Sequence, residues 1–295
     1  MNGYRALLDA LAHPRLTGTP QHAAIRELLK RELTTRGFVV LEHRFAAAPR
    51  FPLRGGVAAE GINLIAVRPR VRVTTWLTAH YDSKGQPLSM SGRLLLVAAA
   101  VVMIPAVLLA TQVGASPWWW LAILAAPALF LALNVVTDRS PGAVDNATGV
   151  LTVFAALDRL PPAAPVGAVL LDAEELGLVG ARALARERAN LLHDTAVINF
   201  DGIDDHGPAV AFAHRLGAST RSVADALGAS PRRRLPVIVD GLALASAARE
   251  CLTIMKGNWV TMRVVHTPRD TANRLTLTGV EEVARAVAGS LVSHF

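Results

Sequence analysis

Val166-Gly167-Ala168-Val169-Leu170-Leu171-Asp172-Ala173-Glu174-Glu175-Leu176-Gly177 is an apolar run that ends abruptly in three acids. Small and aliphatic residues without polar alternation read as a strand buried on both faces. Residues 176–188, which follow, read as a helix. A buried strand feeding a helix is one unit of an α/β fold. In open sheets of that class, function collects where the strands end, and the three acids stand at such an end.

The same alternation continues on both sides. Upstream, residues 20–36 form an amphipathic helix with Ile25, Leu28, Leu29 and Leu33 on one face. Thr19 caps it, Pro20 suits its first turn, and Gly37 ends it. Residues 38–45, 62–67 and 73–79 read as strands. Downstream come a helix at 147–160, a strand at 195–200, strand candidates at 237–239, 251–255 and 262–265, and a closing amphipathic helix at 279–292. The pattern predicts an α/β fold: a mostly parallel mixed sheet with helices on both faces. A chain of 295 residues can fill one large domain of this kind or two small ones.

One region departs from the pattern. Residues 94–112 and 118–136 are apolar stretches without a charge, separated by the uncharged turn 113–117. Each is roughly 19 residues long and as a helix spans about 28 Å, near the ~30 Å of a bilayer's hydrocarbon core. Neither has the polar face a surface helix needs. Pro105 and Pro127 are tolerated better in membrane helices than in soluble ones, and Trp118, Trp119 and Trp120 would sit at an interface. The expectation is a transmembrane hairpin at 94–136 inserted into one catalytic domain made of 1–93 and 137–295. A hairpin buried in the protein or at a dimer interface is the competing reading. Lys84, Arg93 and Arg139 flank the insertion while its turn has no positive charge, so the positive-inside rule places the catalytic domain in the cytoplasm.

Composition agrees with a soluble domain carrying a short membrane part: 52% of residues are hydrophobic and 18% charged, and the mean hydropathy is +0.36. The net charge of +7 comes from scattered basic residues with one run, Arg232 to Arg234, which follows Ser230-Pro231 and reads as a solvated loop. No basic stripe with interleaved aromatics points to nucleic acid. A single cysteine, Cys251, excludes an intrachain disulfide and a thiolate metal site. Residues 1–15 lack the basic-then-apolar design of a signal peptide, so export by cleavage is not expected.

Chemistry-bearing residues gather at the predicted strand ends. His80-Tyr81-Asp82 closes the strand 73–79, and a carboxylate two residues beyond an imidazole can orient it as a metal ligand. Asp145-Asn146 lies in a glycine-punctuated turn before a helix, Glu174 and Glu175 follow the opening strand, and Asn199-Phe200-Asp201 ends another. His266 stands in Val265-His266-Thr267-Pro268-Arg269-Asp270-Thr271. Singly these have plainer readings: a satisfied histidine, a helix cap, a solvated charge run. Together they supply nitrogen and oxygen donors without sulfur, which suits zinc, cobalt or manganese.

The ordered set H-Y-D, P-G-A-x-D-N-A-x-G, D-A-E-E-L-G-L-x-G, N-F-D and H-T-P-x-D-T resembles the M28 family of zinc peptidases. Residues 12–20 and 62–66 resemble it too, so the likeness covers nearly the whole chain outside the hairpin. The resemblance implies two zinc ions: His80 and Asp201 on one, Glu175 and His266 on the other, and Asp145 bridging. It implies Glu174 as general base, Asp82 orienting His80, and a cis peptide between Asp145 and Asn146. The implied activity is hydrolysis of peptide bonds, most simply as an aminopeptidase, with a peptide substrate; lipid contacts through residues 94–136 are expected from the apolar stretches themselves. A single-zinc glutaminyl cyclase-like acyltransferase and a non-enzymatic membrane scaffold of the same fold are the alternatives. The hairpin occupies a loop that is short in the family and begins just beyond His80 and Asp82, which brings the catalytic mouth toward the bilayer. Substrate preference, exopeptidase type and oligomeric state are not encoded in these motifs.

Overall fold

The computed structural model of the chain describes residues 2–47, 59–112, 129–130, 133–233 and 238–293. Helices α1 (Asn2–Leu11) and α2 (Pro20–Thr35) precede strands β1 (Val39–Ala47), β2 (Ala59–Val67) and β3 (Thr75–His80), followed by helix α3 (Met90–Gln112). Helix α4 (Thr148–Leu157), β4 (Val166–Leu171), α5 (Val179–Glu187), β5 (Ala196–Ile203), β6 (Ala209–Arg215) and α6 (Ala218–Ala226) continue the chain. Strand β7 (Glu250–Lys256), α7 (Trp259–Val264) and α8 (Thr278–Val292) complete it.

Seven strands form one sheet in the order β1-β2-β4-β3-β5-β7-β6. The centre, β4-β3-β5-β7, is parallel, while β1, β2 and β6 run antiparallel to their neighbours. Strands β3 and β4 are buried along their whole length, as unbroken apolar runs require. One face of the sheet is covered by α4, itself buried at every position, against which α8 and α1 pack. Phe154, Leu151, Val283 and Val287 are among its core residues. On the opposite face α5, through Leu184, and the short helix Asp240–Leu244 enclose Trp76, Leu171, Val197 and Cys251.

Two strand expectations need correction, and one strand was not expected. Residues 262–265 are not a strand, because α7 begins at Trp259 and runs to Val264. The side chain of Asn258 accepts from the N–H groups of Val260 and Thr261 while Thr261 reciprocates, and this capping box outweighs the β-branched composition. The candidate at 237–239 is not a strand in its described part, residues 238–239. Strand β6 went unpredicted: its alanine-rich sequence has weak strand character, and pairing with β7 decides its conformation.

The insertion is described in part. The first expected leg, 94–112, lies within α3, which starts four residues earlier and therefore includes Arg93. The turn 113–117 and most of the second leg lie outside the described residues. Residues 134–136, placed in that leg by the sequence pattern, are not helical. They return the chain to the sheet domain, where Val136 is buried with Leu16 and Phe45. The roots are clipped together: Gly85 and Thr137 exchange N–H···O bonds of 2.6 and 2.8 Å, and Asn134 accepts from the Leu88 N–H at 2.8 Å. Met90–Leu109 is long and apolar enough to cross a membrane, yet only 6% of its most apolar window is buried. A core helix of a soluble protein would pass the same length test but would be mostly covered.

Because the clip and Val136 hold the roots without the helix, excising residues 95–130 and closing the gap with a short Gly/Ser linker is expected to leave a folded domain. Its melting temperature should stay within about 4 °C of the parent, the shift that roughly 1 kcal/mol produces. Unfolding or aggregation of that variant, read by circular dichroism and light scattering, would show instead that α3 is a core element.

Candidate metal centre

Strand register begins the site. His80 ends β3, and the pairing of Ala79 with Phe200 sets Asp201 of β5 beside it. Strand β4 delivers its acids three residues later, after a sharp reversal at Ala173, whose φ is 58°. That reversal turns the N–H groups of Glu174 and Glu175 onto the two oxygens of Asp82, at 3.2 and 3.1 Å. The Asp82 carboxylate also lies 3.4 Å from His80 Nδ1. One buried acid thus orients an imidazole and the segment carrying two further carboxylates.

Asp145 is held in the turn Ala143–Ala147 that leads into α4, and its peptide bond to Asn146 is cis. Asp270 accepts from the N–H groups of Val144 (2.8 Å) and Asp145 (3.1 Å). The Asn146 amide donates to the Phe200 carbonyl at 2.9 Å and accepts from the Gly202 N–H at 3.1 Å, tying the turn to β5. Gly149 is required there, because a Cβ would meet Asn146 Oδ1 at 2.1 Å. His266 follows α7 with a φ of 64°, and its carbonyl accepts from the Gln86 N–H at 2.8 Å.

These placements bring all seven expected residues to one site. His80 Nε2 lies 3.2 Å from Asp145 Oδ1 and 3.9 Å from Asp201 Oδ1. His266 Nε2 lies 2.8 Å from the other oxygen, Asp145 Oδ2, and 3.4 Å from Glu175 Oε1. Two donor clusters result, His80-Asp145-Asp201 and Asp145-Glu175-His266, each with its ligand atoms within 4.8 Å of one another. They share Asp145, one oxygen to each side. Asp145 Oδ1 is buried without a hydrogen bond, an unused lone pair of the kind a metal ion takes. The donors are imidazole and carboxylate, a set that fits a divalent cation of borderline or hard character.

Buried like charges shape the electrostatics. Burial pushes the Glu174 carboxyl well above the usual range and, despite the opposing effect of His80, the carboxylates of Glu175, Asp240 and Asp201 push it further. Glu175 behaves oppositely: burial would raise it, but Lys84 and His266 outweigh burial and bring it down to about 2. Lys84 Nζ lies 2.6 Å from Glu175 Oε2, leaving Oε1 to face His266. Glu174 lines the adjoining cavity of about 710 Å³, whose lining also includes the apolar side chains of Val210, Phe212, Ile238, Met255 and Met262.

Asp172, the first acid of the opening stretch, points elsewhere. It accepts from the Ile62 N–H and the hydroxyls of Thr17 and Tyr81, and it meets His22 at 2.8 Å. Sequence reasoning missed the supporting roles of Arg15, Lys84, Arg93 and Asp270. The buried Arg15 donates to the carbonyls of Leu11, His13, Tyr81, Pro141 and Gly142, joining the chain's start to both sides of the site. Arg15 and Asp270 lay inside quoted motifs and carried that much signal. Lys84 and Arg93 had no local signal, since their partners are distant in sequence.

The fold and the paired clusters define an α/β protein built around a candidate dinuclear metal centre. The model of Peptidase family M28 matches residues 63–291, and the chain belongs to that family. No curated protein matches the sequence. In fold the chain is similar to BSAP, a zinc aminopeptidase from Bacillus subtilis, with a TM-score of 0.66 at 12% identity over 99% of this chain and 94% of that one. A Zn-dependent exopeptidase from Parabacteroides distasonis gives 0.64 at 16% identity, covering 98% and 97%. Glutaminyl cyclase from Porphyromonas gingivalis gives 0.64 at 16% identity, covering 100% and 98%. At such identities the likeness concerns the fold.

Asp270→Ala leaves the Val144 and Asp145 N–H groups buried without acceptors. The expected loss is roughly 1–3 kcal/mol of stability, read as a lower urea midpoint at unchanged slope. An unshifted midpoint would mean that Asp270 does not hold the turn.

Proposed function

We propose that the chain is a two-zinc metallopeptidase that hydrolyses peptide bonds, acting as an aminopeptidase. The observation that carries this reading is the Asp145 carboxylate, with one oxygen turned to each of two complete donor clusters. His80 and Asp201 would hold one ion, Glu175 and His266 the other, and Asp145 both. Bound zinc would supply Lewis acidity to the scissile carbonyl and lower the pKa of the attacking water.

The protein's own residues do the rest. Glu174 takes a proton from the attacking water and passes it to the leaving amine, a task suited to a carboxyl whose affinity for protons is raised. Asp82 holds His80 with Nε2 facing the cluster and fixes the backbone of Glu174 and Glu175. Lys84 keeps Glu175 ionised and directed. The cavity beside the clusters receives the peptide, and its apolar walls favour apolar side chains. A single-zinc cyclase reading is weaker, because the donors of both clusters are present. Residues 94–136 are read as a two-helix insertion that anchors the 1–93 and 137–295 catalytic domain to a membrane from the cytoplasmic side. The exposed apolar surface of α3, including Leu95, Val101, Val102 and Leu108, supports the anchoring.

Glu174→Gln is expected to retain its metal and lose about 10²–10⁴ in kcat on a peptide substrate. Metal analysis with steady-state kinetics checks both halves. Lost metal would make Glu174 a ligand, and unchanged kcat would move the base elsewhere.

Zinc binding should also depend on pH. Burial disfavours the charged form of His80, but the carboxylates of Asp145, Asp201 and Asp82 outweigh it and raise its pKa well above 6.5 in the metal-free protein. At neutral pH a proton must leave before Nε2 can coordinate, so affinity should rise with pH, about tenfold per unit for each proton released. Competition titrations with a chelator between pH 6 and 8 measure this slope, and a flat profile would exclude His80 as a ligand.

A further inference from the structure

We propose that Arg93 anchors the free carboxylate of a dipeptide substrate, making this site selective for short apolar peptides with an unblocked C-terminus. The inference deepens the peptidase reading and rests on it. Arg93 lies in the first turn of α3 and lines the cavity beside Asp145, Glu174, Glu175 and His266. Its Nε is buried without a hydrogen-bond partner, and it forms no ion pair among the described residues. Of the other cations lining this cavity, Lys84 is engaged with Glu175 and Lys256 with the Gly207 carbonyl and Glu282, while Arg232 is exposed to solvent.

What Arg93 does touch is His266 Nδ1, through Nη2. Guanidinium only donates, so this contact requires Nδ1 as acceptor and the imidazole proton on Nε2. That tautomer suits the metal-free arrangement, where Nε2 faces Asp145 and Glu175. Were a metal held at Nε2, the imidazole proton would sit on Nδ1 and the guanidinium would lose this acceptor. Arg93 would then be free to turn to the cavity that it lines, where a carboxylate can accept two parallel N–H bonds.

Position restricts which carboxylate this is. One imidazole ring separates Arg93 from the ligand cluster, so a carboxylate that accepts from its guanidinium lies close to the reacting carbonyl. A carboxyl one residue beyond the scissile carbonyl is the C-terminus of a dipeptide. The apolar walls at Val210, Phe212, Ile238 and Met255 suit its side chains.

The test measures binding apart from turnover. In zinc-loaded Glu174→Gln protein, calorimetry compares leucyl-alanine with leucyl-alanine amide. We expect the free acid to bind at least ~10-fold more tightly, since hydrogen bonds to charged groups contribute about 1.5–3 kcal/mol. Adding Arg93→Gln should bring the ratio of the two affinities near one, while Arg93→Lys should retain part of it. Metal content read on the same samples shows that the site is loaded. Equal affinities for acid and amide in the Arg93 protein would overturn the proposal, as would a preference that survives Arg93→Gln. Should Arg93→Gln fail to fold, the acid-to-amide ratio with Arg93 and with Arg93→Lys still decides. Failure of the native chain to cleave either peptide would count against the peptidase reading, whereas the binding ratio judges Arg93.

Discussion

Asp82, Asp145, Glu174, Glu175 and Asp201 are gathered with two imidazoles where water is largely excluded. Two like charges about 4 Å apart repel by roughly 4 kcal/mol at an effective dielectric near 20. The rest of the site can be understood as the means of holding such a cluster together. Asp82 is met by two backbone N–H groups. Lys84 neutralises Glu175, and the turn carrying Asp145 is bound through its N–H groups to Asp270. Arg15 adds a buried positive charge near Asp82, Asp270, Asp145 and Glu175. What these groups leave uncompensated is the shared space around Asp145, where divalent metal would complete the balance.

The sheet makes this concentration of charge geometrically possible. Parallel pairing of β4, β3 and β5 brings their carboxyl ends into line, so residues distant in sequence meet without long side chains. Each contributes at or just past its strand: His80, Asp201, and the acids beyond the Ala173 reversal. Asp145 and His266 come from loops instead, and each loop is bonded to a neighbouring segment: Asn146 to the end of β5, and the His266 carbonyl to Gln86. The ligand set thus has one rigid half from the sheet and one half positioned by side-chain hydrogen bonds.

The apolar insertion reaches the site through its roots. Met90, Arg93, Asn134, Val135 and Val136 line the same cavity as the donor clusters. Helix α3 also packs on α7, which leads directly to His266. A helix that is largely exposed and apolar along its described length therefore stands beside the place where substrate would bind. Surroundings that fix the position of α3 would also fix that of Arg93.

The α/β class, the buried strands 166–171 and 73–79, and the residues of the donor clusters were legible in the sequence. Unbroken apolar runs define buried strands locally, and spaced acids and histidines at their ends mark a candidate site. Capping by Asn258 was written there as well, but the β-branched residues at 260, 261, 264 and 265 masked it. Strand β6 owes its conformation to β7, and its own seven residues do not specify it. Only the tertiary structure decided that Asp145 turns one oxygen to His80 and the other to His266, that Asp172 faces away, and that Lys84 and Arg93 reach Glu175 and His266. The physical reason is range: periodicity and capping act over a few residues, whereas charge compensation in a buried site depends on distances between segments that the chain's order does not reveal.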